Sequence, residues 1–211
     1  MAEFDDYINL NKIDMNLKEL LTEMKNISEV IVDLAYAALM FDSEEIAQEV
    51  SDLEDEMDNL KYAIRIKAMM AARTKEDAKQ LSGLLQIANA AENIANAAAD
   101  MVKLQEFPLE QRPFLSFILK ESDEKIRMTQ LSADSDMVNH TIGELGIESG
   151  TGMRIIAIKG RQGWIYDPEP EIKLRTNDSL IVRGTEDGFR ELCKYTSGKE
   201  AWDPEEAAIH G

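Results

Sequence analysis

The chain has a single cysteine, Cys193, two histidines, His140 and His210, and only 6% aromatic residues in 211. One cysteine excludes an internal disulfide and any cysteine-based zinc site, and it fits a reducing compartment, the cytosol. The histidines stand apart, one in a turn and one in the tail. Cys193 falls on or beside the buried face of the last helix, where packing explains it. With no nucleophile elbow, phosphate loop or zinc signature either, the reading is not an enzyme. No run approaches the roughly 18 apolar residues of a membrane span, so direct membrane insertion is not expected. The start, Met1-Ala2-Glu3-Phe4-Asp5-Asp6, lacks the basic residues and apolar run of a secretory leader. Positive charge is also scarce, 23 Lys and Arg against 41 Asp and Glu, a net charge of −18. Nucleic acid is bound by neutralising its phosphates with Lys and Arg, so no nucleic acid partner is expected.

Proline is absent before Pro108, and the first half is helical in pattern. Leu17, Leu20, Leu21, Met24, Ile27, Ile31, Leu34 and Leu39 recur mostly at steps of three and four. Ser43 can cap a second run, Ile46, Val50, Leu53, Met57, Leu60 and Ile64. Thr74 can cap a third, rich in alanine, through Ala88, Ala91, Ala95, Ala98 and Val102. Three long helices joined by very short turns run antiparallel, up, down and up. Pro108 and Pro113 end the bundle, and a shorter bridging helix is expected over Phe114–Lys125.

From residue 126 glycine, proline and β-branched residues rise. Ile126–Leu131 alternates as a strand, Thr141–Leu145 reads as a short helix stopped by Gly146, and Met153–Lys159 as a buried strand. Gly160-Arg161-Gln162-Gly163 is a hairpin turn into Trp164-Ile165-Tyr166. Ser179–Arg183 is a last strand, and Thr185 to about Tyr195 a closing helix. The tail from Ser197 reads as polar and mobile. The expected class is α followed by α+β, with residues 1–125 as the helical bundle and 126–211 as a small α/β domain with a polar tail.

The second helix is crowded with carboxylates. At 100° per residue, Glu45, Glu49, Asp52 and Glu56 line one flank of its apolar stripe, and Glu54 and Asp58 lie on the other. Helix three offers Glu92, Asn96 and Asp100, again at steps of four. An all-oxygen set suits a hard divalent cation such as magnesium, calcium or manganese. The same spacing also fits a solvated acidic face with Lys61 and Arg65 as neighbours. The segment Phe41-Asp42-Ser43-Glu44-Glu45-Ile46 through Leu53-Glu54-Asp55-Glu56-Met57-Asp58 resembles the PhoU family of three-helix phosphate-signalling proteins. In that family a carboxylate, three residues and an aspartate form the metal motif. Glu54 and Asp58 match it, and Glu92-Asn93-Ile94-Ala95-Asn96 matches with Asn96 in the aspartate position. The resemblance covers roughly residues 10–125 and implies a metal on the bundle.

A second resemblance is carried by Asn139-His140-Thr141-Ile142-Gly143-Glu144-Leu145-Gly146-Ile147, by Arg154-Ile155-Ile156-Ala157-Ile158, by Asp167-Pro168, and by Asn177-Asp178-Ser179-Leu180-Ile181-Val182-Arg183-Gly184-Thr185. Their order and spacing resemble the TrkA-C domain, the C-terminal lobe of regulators of potassium conductance. Asn177 stands where the family has glycine. The resemblance implies a homodimeric cytosolic module that controls a membrane cation channel or transporter, peripheral to the membrane through that partner. Some members hold cyclic di-AMP between two copies. The positions that would line such a groove are Ile147, Glu148, Arg154, Ile155, Ile156 and Pro168. Glu148 replaces what is often a basic residue. Arg154 replaces a small amide and can itself contact phosphate. The companion dinucleotide-binding lobe, with Gly-x-Gly-x-x-Gly after a strand, has no counterpart, so no NAD is expected. The function expected is a regulatory subunit of a potassium or other cation transport system that senses a small ligand. The alternatives are a PhoU-like metal-binding regulator of phosphate transport and a dimerisation scaffold that senses nothing.

Overall fold

The computed structural model describes residues 15–107 and 124–203 and divides into two compact units, Met1–Gln111 and Arg112–Gly211. Pro108, Pro113, His210 and residues 114–123 of the expected bridging helix lie outside the described residues, and its expected end, Lys125, is in a strand instead.

The N-terminal unit contains α1 (Leu17–Phe41), α2 (Glu44–Ala71) and α3 (Lys75–Val102), followed by a single 3-10 turn, Lys103–Glu106. Each helix starts on a side chain that accepts backbone N–H groups. Asn16 and Thr74 form capping boxes with Glu19 and Asp77, and Ser43 Oγ accepts from Ile46 N at 3.4 Å. Asp42, in left-handed conformation with φ 49°, turns the chain between α1 and α2. Leu20, Met24, Ile31 and Leu34 of α1 meet Ile46, Met57, Leu60 and Ile64 of α2 in the core, all nearly inaccessible. From α3 the buried residues are Ala88, Ala95, Ala98 and Val102. Small side chains let its neighbours approach closely.

The C-terminal unit is a four-stranded antiparallel sheet of order β1-β4-β2-β3. Its strands are β1 (Lys125–Gln130), β2 (Arg154–Gly160), β3 (Gly163–Tyr166) and β4 (Ser179–Gly184). Two short helices, α4 (Ile142–Leu145) and α5 (Ile147–Thr151), precede β2, and α6 (Glu186–Thr196) follows β4. The core gathers Leu131, Met137, Leu145, Ile158, Leu180, Leu192 and Tyr195. Asn177 takes φ 67°, which explains the glycine usual at this position. Asparagine is among the few other residues that tolerate it. Its N–H donates to Leu131 O at 2.8 Å, and Asp178 accepts from Arg175 N at 2.8 Å.

The segment after α6 departs from the expectation of a mobile polar tail. Trp202 N donates to both carboxylate oxygens of Asp136, at 2.9 and 3.1 Å. Its ring meets Tyr195 edge-on with centroids 4.9 Å apart. A lone tryptophan in a polar stretch carries no periodicity, so the anchor was not legible in the sequence. Trp202→Ala should lower the stability of this unit by about 2 kcal/mol, less than the roughly 3–5 of a fully buried aromatic because the ring is half-buried. The denaturant midpoint of its unfolding would show this.

Candidate functional site

The cleft of the C-terminal unit is built by backbone devices. Thr141 opens α4 with a capping box, in which Thr141 N donates to Glu144 Oε2 at 2.9 Å and Glu144 N to Thr141 Oγ1 at 3.1 Å. The Thr141 backbone N–H, assisted by its hydroxyl, holds the Glu144 carboxyl below the usual carboxylate range. Gly143 N donates to Pro170 O at 2.8 Å, and a Cβ on Gly143 would lie 3.1 Å from Pro170 Cβ. That approach is tight for any larger residue. Gly146, at φ 58°, ends α4 and starts α5. Leu145 and Ile147 on either side enter the core.

A β-bulge then sets the far wall. The pairing of β2 with β4 shifts between Ile155 and Ala157, so Ile155 and Ile158 share the core face. Ile156 is the extra residue. Its carbonyl accepts from Asp167 N at 3.0 Å, holding Asp167 in left-handed conformation, φ 41°, beside Arg154. Arg154 Nη2 and Asp167 Oδ1 are 3.3 Å apart, with side chains 30% and 42% exposed.

Between these walls lies a cleft of about 220 Å³, lined by Ile142, Ile147, Glu148, Met153, Arg154, Ile155, Asp167, Pro168 and Pro170. Five of the positions named from the sequence, Ile147, Glu148, Arg154, Ile155 and Pro168, come together here. Ile156 does not, since the bulge buries it and leaves only its carbonyl to position Asp167. Sequence reasoning missed Asp167 as a lining side chain. It was read only as half of an Asp-Pro turn, although an acid that can pair with Arg154 was visible. Chemically the cleft offers an apolar floor and one guanidinium whose partner, Asp167, sits at the surface.

In the bundle, the named positions meet a cation supplied by the chain. Lys61 Nζ is paired with Glu92 Oε1, with side chains only 15% and 14% exposed. Asn96 Nδ2 donates to Glu92 Oε1 at 3.2 Å. The Lys61 ammonium, hydrogen-bonded to Glu92, holds that carboxyl below its usual range, with Asn96 adding to the effect. Glu54 is pushed the other way, first by partial burial and then by Asp58, Asp55 and Glu92, against the pull of Lys103. Asp100 is paired with Lys103 at 2.7 Å. Glu54, Asp58, Glu92, Asn96 and Asp100 thus do not fit a divalent ion. Glu92 is already held by a largely buried ammonium group, and Asn96 contributes no charge. Among the described residues no group of three or more His, Cys, Asp or Glu side chains is arranged to hold a metal. Lys61 was named in the sequence only as a neighbour of the acidic face. Its reach onto Glu92 depends on how α2 meets α3.

Comparison with known proteins divides the chain in the same way. The family model for the TrkA-C domain matches residues 129–197, and that for the PhoU domain matches residues 21–104. Both are families of regulatory rather than catalytic domains. No curated protein matches the chain. Among solved structures, the RCK_C domain dimer of S. agalactiae BusR in complex with c-di-AMP is 26% identical, with 37% of this chain and 96% of that one covered and a TM-score of 0.35. The RCK C domain of the potassium transport protein KtrA, in complex with cyclic diadenosine monophosphate, is 26% identical over 40% of this chain and 96% of that one, TM-score 0.33. S. agalactiae BusR in complex with its busAB-promotor DNA is 18% identical over 84% of this chain and 97% of that one, TM-score 0.35. Among the described residues no helix is long and apolar enough to cross a membrane. The chain joins a PhoU-like helical bundle, residues 21–104, to a TrkA-C domain, residues 129–197.

Proposed function

We propose that this chain is a regulatory subunit of a cation transport system, potassium foremost, switched by a cyclic dinucleotide bound to its TrkA-C domain. The observation that carries the reading is Arg154, set at the rim of an apolar cleft in that domain. A guanidinium is suited to a phosphate, and Ile147, Ile155 and Pro168 supply apolar surface for a base. One copy encloses about 220 Å³, below the roughly 300–1,000 Å³ of ordinary ligand pockets. This supports a site completed by a second copy. Ligand binding would then favour one arrangement of the paired subunits over another, by no more than its difference in affinity for the two. The Lys61–Glu92 pair disfavours the reading as a metal-dependent phosphate regulator.

Two carboxylates, Glu148 and Asp167, border the same cleft and oppose an anion. Their removal should tighten binding, whereas removal of Arg154 should weaken it. In calorimetric titration of the full chain with cyclic di-AMP, saturable binding at one ligand per two chains is expected. Arg154→Ala should weaken it roughly 10- to 100-fold, the loss of one charge-assisted hydrogen bond, and Asp167→Asn should strengthen it. Heat-free titrations with a folded chain would rule out this ligand. The complex of BusR with promoter DNA qualifies the sequence-based expectation that nucleic acid is no partner, so duplex DNA belongs in the same series. Binding of DNA with none of cyclic di-AMP would replace this reading by that of a DNA-binding regulator.

A further inference from the structure

Helix α3 carries two apolar stripes, and its own bundle uses one of them. Ala88, Ala95, Ala98 and Val102 are buried within the unit. The other stripe, Ile87, Ala90, Ile94, Ala97 and Met101, runs in alternating steps of three and four, the spacing of a coiled-coil seam, and Leu104 of the following 3-10 turn continues it. Ile87 is 64% exposed, Ile94 41% and Leu104 40%. Ala90 and Ala97 are exposed and Met101 half-buried.

We infer that this stripe pairs antiparallel with the same stripe of a second copy of the chain. Two features select that occupant and direction. In the antiparallel register that sets Ile94 against the partner copy's position 90, both isoleucines and Met101 each meet a small residue. Ile87 meets position 97, an alanine, and Met101 meets position 83, a glycine. Glycine is unfavourable inside a helix, and nothing in its own bundle requires it here, since a Cβ on Gly83 would meet no atom within 4 Å. Charge also matches. Lys79 and Asp100 lie on one flank of the stripe, three heptads apart, and the same register brings each beside the other across the two-fold axis. Asp100 is 73% exposed and its bond to Lys103 is equally open to solvent, so it is available to a second cation. A parallel register would oppose isoleucine to isoleucine and alanine to alanine, and would leave Lys79 and Asp100 without opposite charges. The surface belongs to the N-terminal unit and does not rest on the ligand reading of the cleft.

Disulfide trapping in the full chain tests this, in a Cys193→Ser background. The double variant Ile87→Cys/Ala97→Cys should form a covalent dimer in most chains under mild oxidation. Either single variant should stay monomeric on a non-reducing gel. Positions 87 and 97 are ten residues apart on one helix, so they cannot bond within a chain. Adding Lys79→Glu should reduce the yield, and adding Asp100→Lys as well should restore it. Single variants that cross-link as readily as the double would overturn the antiparallel register. No cross-linking in the double variant, with its unfolding midpoint unchanged, would overturn self-pairing altogether. Failure of the charge reversal to restore the yield would overturn the assigned pairing of Lys79 with Asp100.

Discussion

Gly188→Ala is expected to destabilise the C-terminal unit by about 3 kcal/mol, at the upper end of ordinary overpacking. Gly188 lies in the first turn of α6, where its N–H donates to Thr185 Oγ1 at 3.1 Å. A Cβ there would fall on the carbonyl oxygen of Thr151 and come within 3.3 Å of Met153 Sδ. The obstacle is backbone, so no rotamer change relieves it, and α6 must shift away from the end of α5. Gly184 makes the same approach, with a Cβ placed 2.5 Å from Gly152 O and from Met153 Sδ. Both glycines press β4 and α6 onto the turn that leads into Arg154. Gly188→Ala should therefore weaken ligand binding as well as stability, although it lies outside the cleft. Chemical denaturation followed through Trp164 and Trp202 would show the effect. A wild-type midpoint for Gly188→Ala would refute this account of the packing.

Lys61→Met is expected to destabilise the bundle by about 3 kcal/mol, because removing one partner of a largely buried ion pair strands the other charge. The double variant Lys61→Met/Glu92→Leu should recover most of the loss, since two apolar groups replace a desolvated pair. A double variant as unstable as the single would show that Lys61 acts by packing alone. The pH dependence has two limbs. Glu49 is raised by burial and by the repulsion of Asp52 and Glu56, and Glu54 is raised for the reasons given above. A carboxyl raised in the folded state opposes folding when ionised, so stability should rise as pH falls through those values. Glu92 is lowered, so its contribution is present above its unfolded value and lost as pH falls through the folded one. The bundle should therefore be most stable on the mildly acidic side of neutrality and lose stability in stronger acid. Lys61→Met should remove the part of the acid limb that Glu92 supplies, because burial without the ammonium no longer lowers that carboxyl. Magnesium or manganese should leave the wild-type midpoint unchanged, because Lys61 already neutralises Glu92.

The three helices were legible because their signals are local. Ser43 and Thr74 cap where they stand, and the apolar residues of each helix recur on one face without reference to any other. Strand β1 followed from alternation, β2 from a short apolar run, β3 from the Gly160–Gly163 turn and β4 from its place before Gly184, and the TrkA-C pattern brought five cleft residues to notice from separate segments. Helix α5 was missed because five residues containing Ser149 and Gly150 show no period. Its turns are closed by backbone bonds, Gly150 N to Gly146 O and Gly152 N to Glu148 O. The bulge at Ile156 was equally invisible. A run of apolar residues does not reveal which one is extra, and the register against β4 decides it.

What the sequence by itself determined is the division into a helical and an α/β unit, the helix starts, the glycine turns and the acidity of α2. These depend on neighbours within a few residues or on composition. What only the tertiary structure decided is which charges meet. Glu92 might have faced solvent, a metal or an ammonium group, and the crossing of α2 with α3 chose Lys61. Arg154 might have pointed anywhere along an edge, and the bulge that anchors Asp167 set its partner. Coulomb attraction falls with distance, and distances between residues far apart in the chain exist only once the helices and strands have packed.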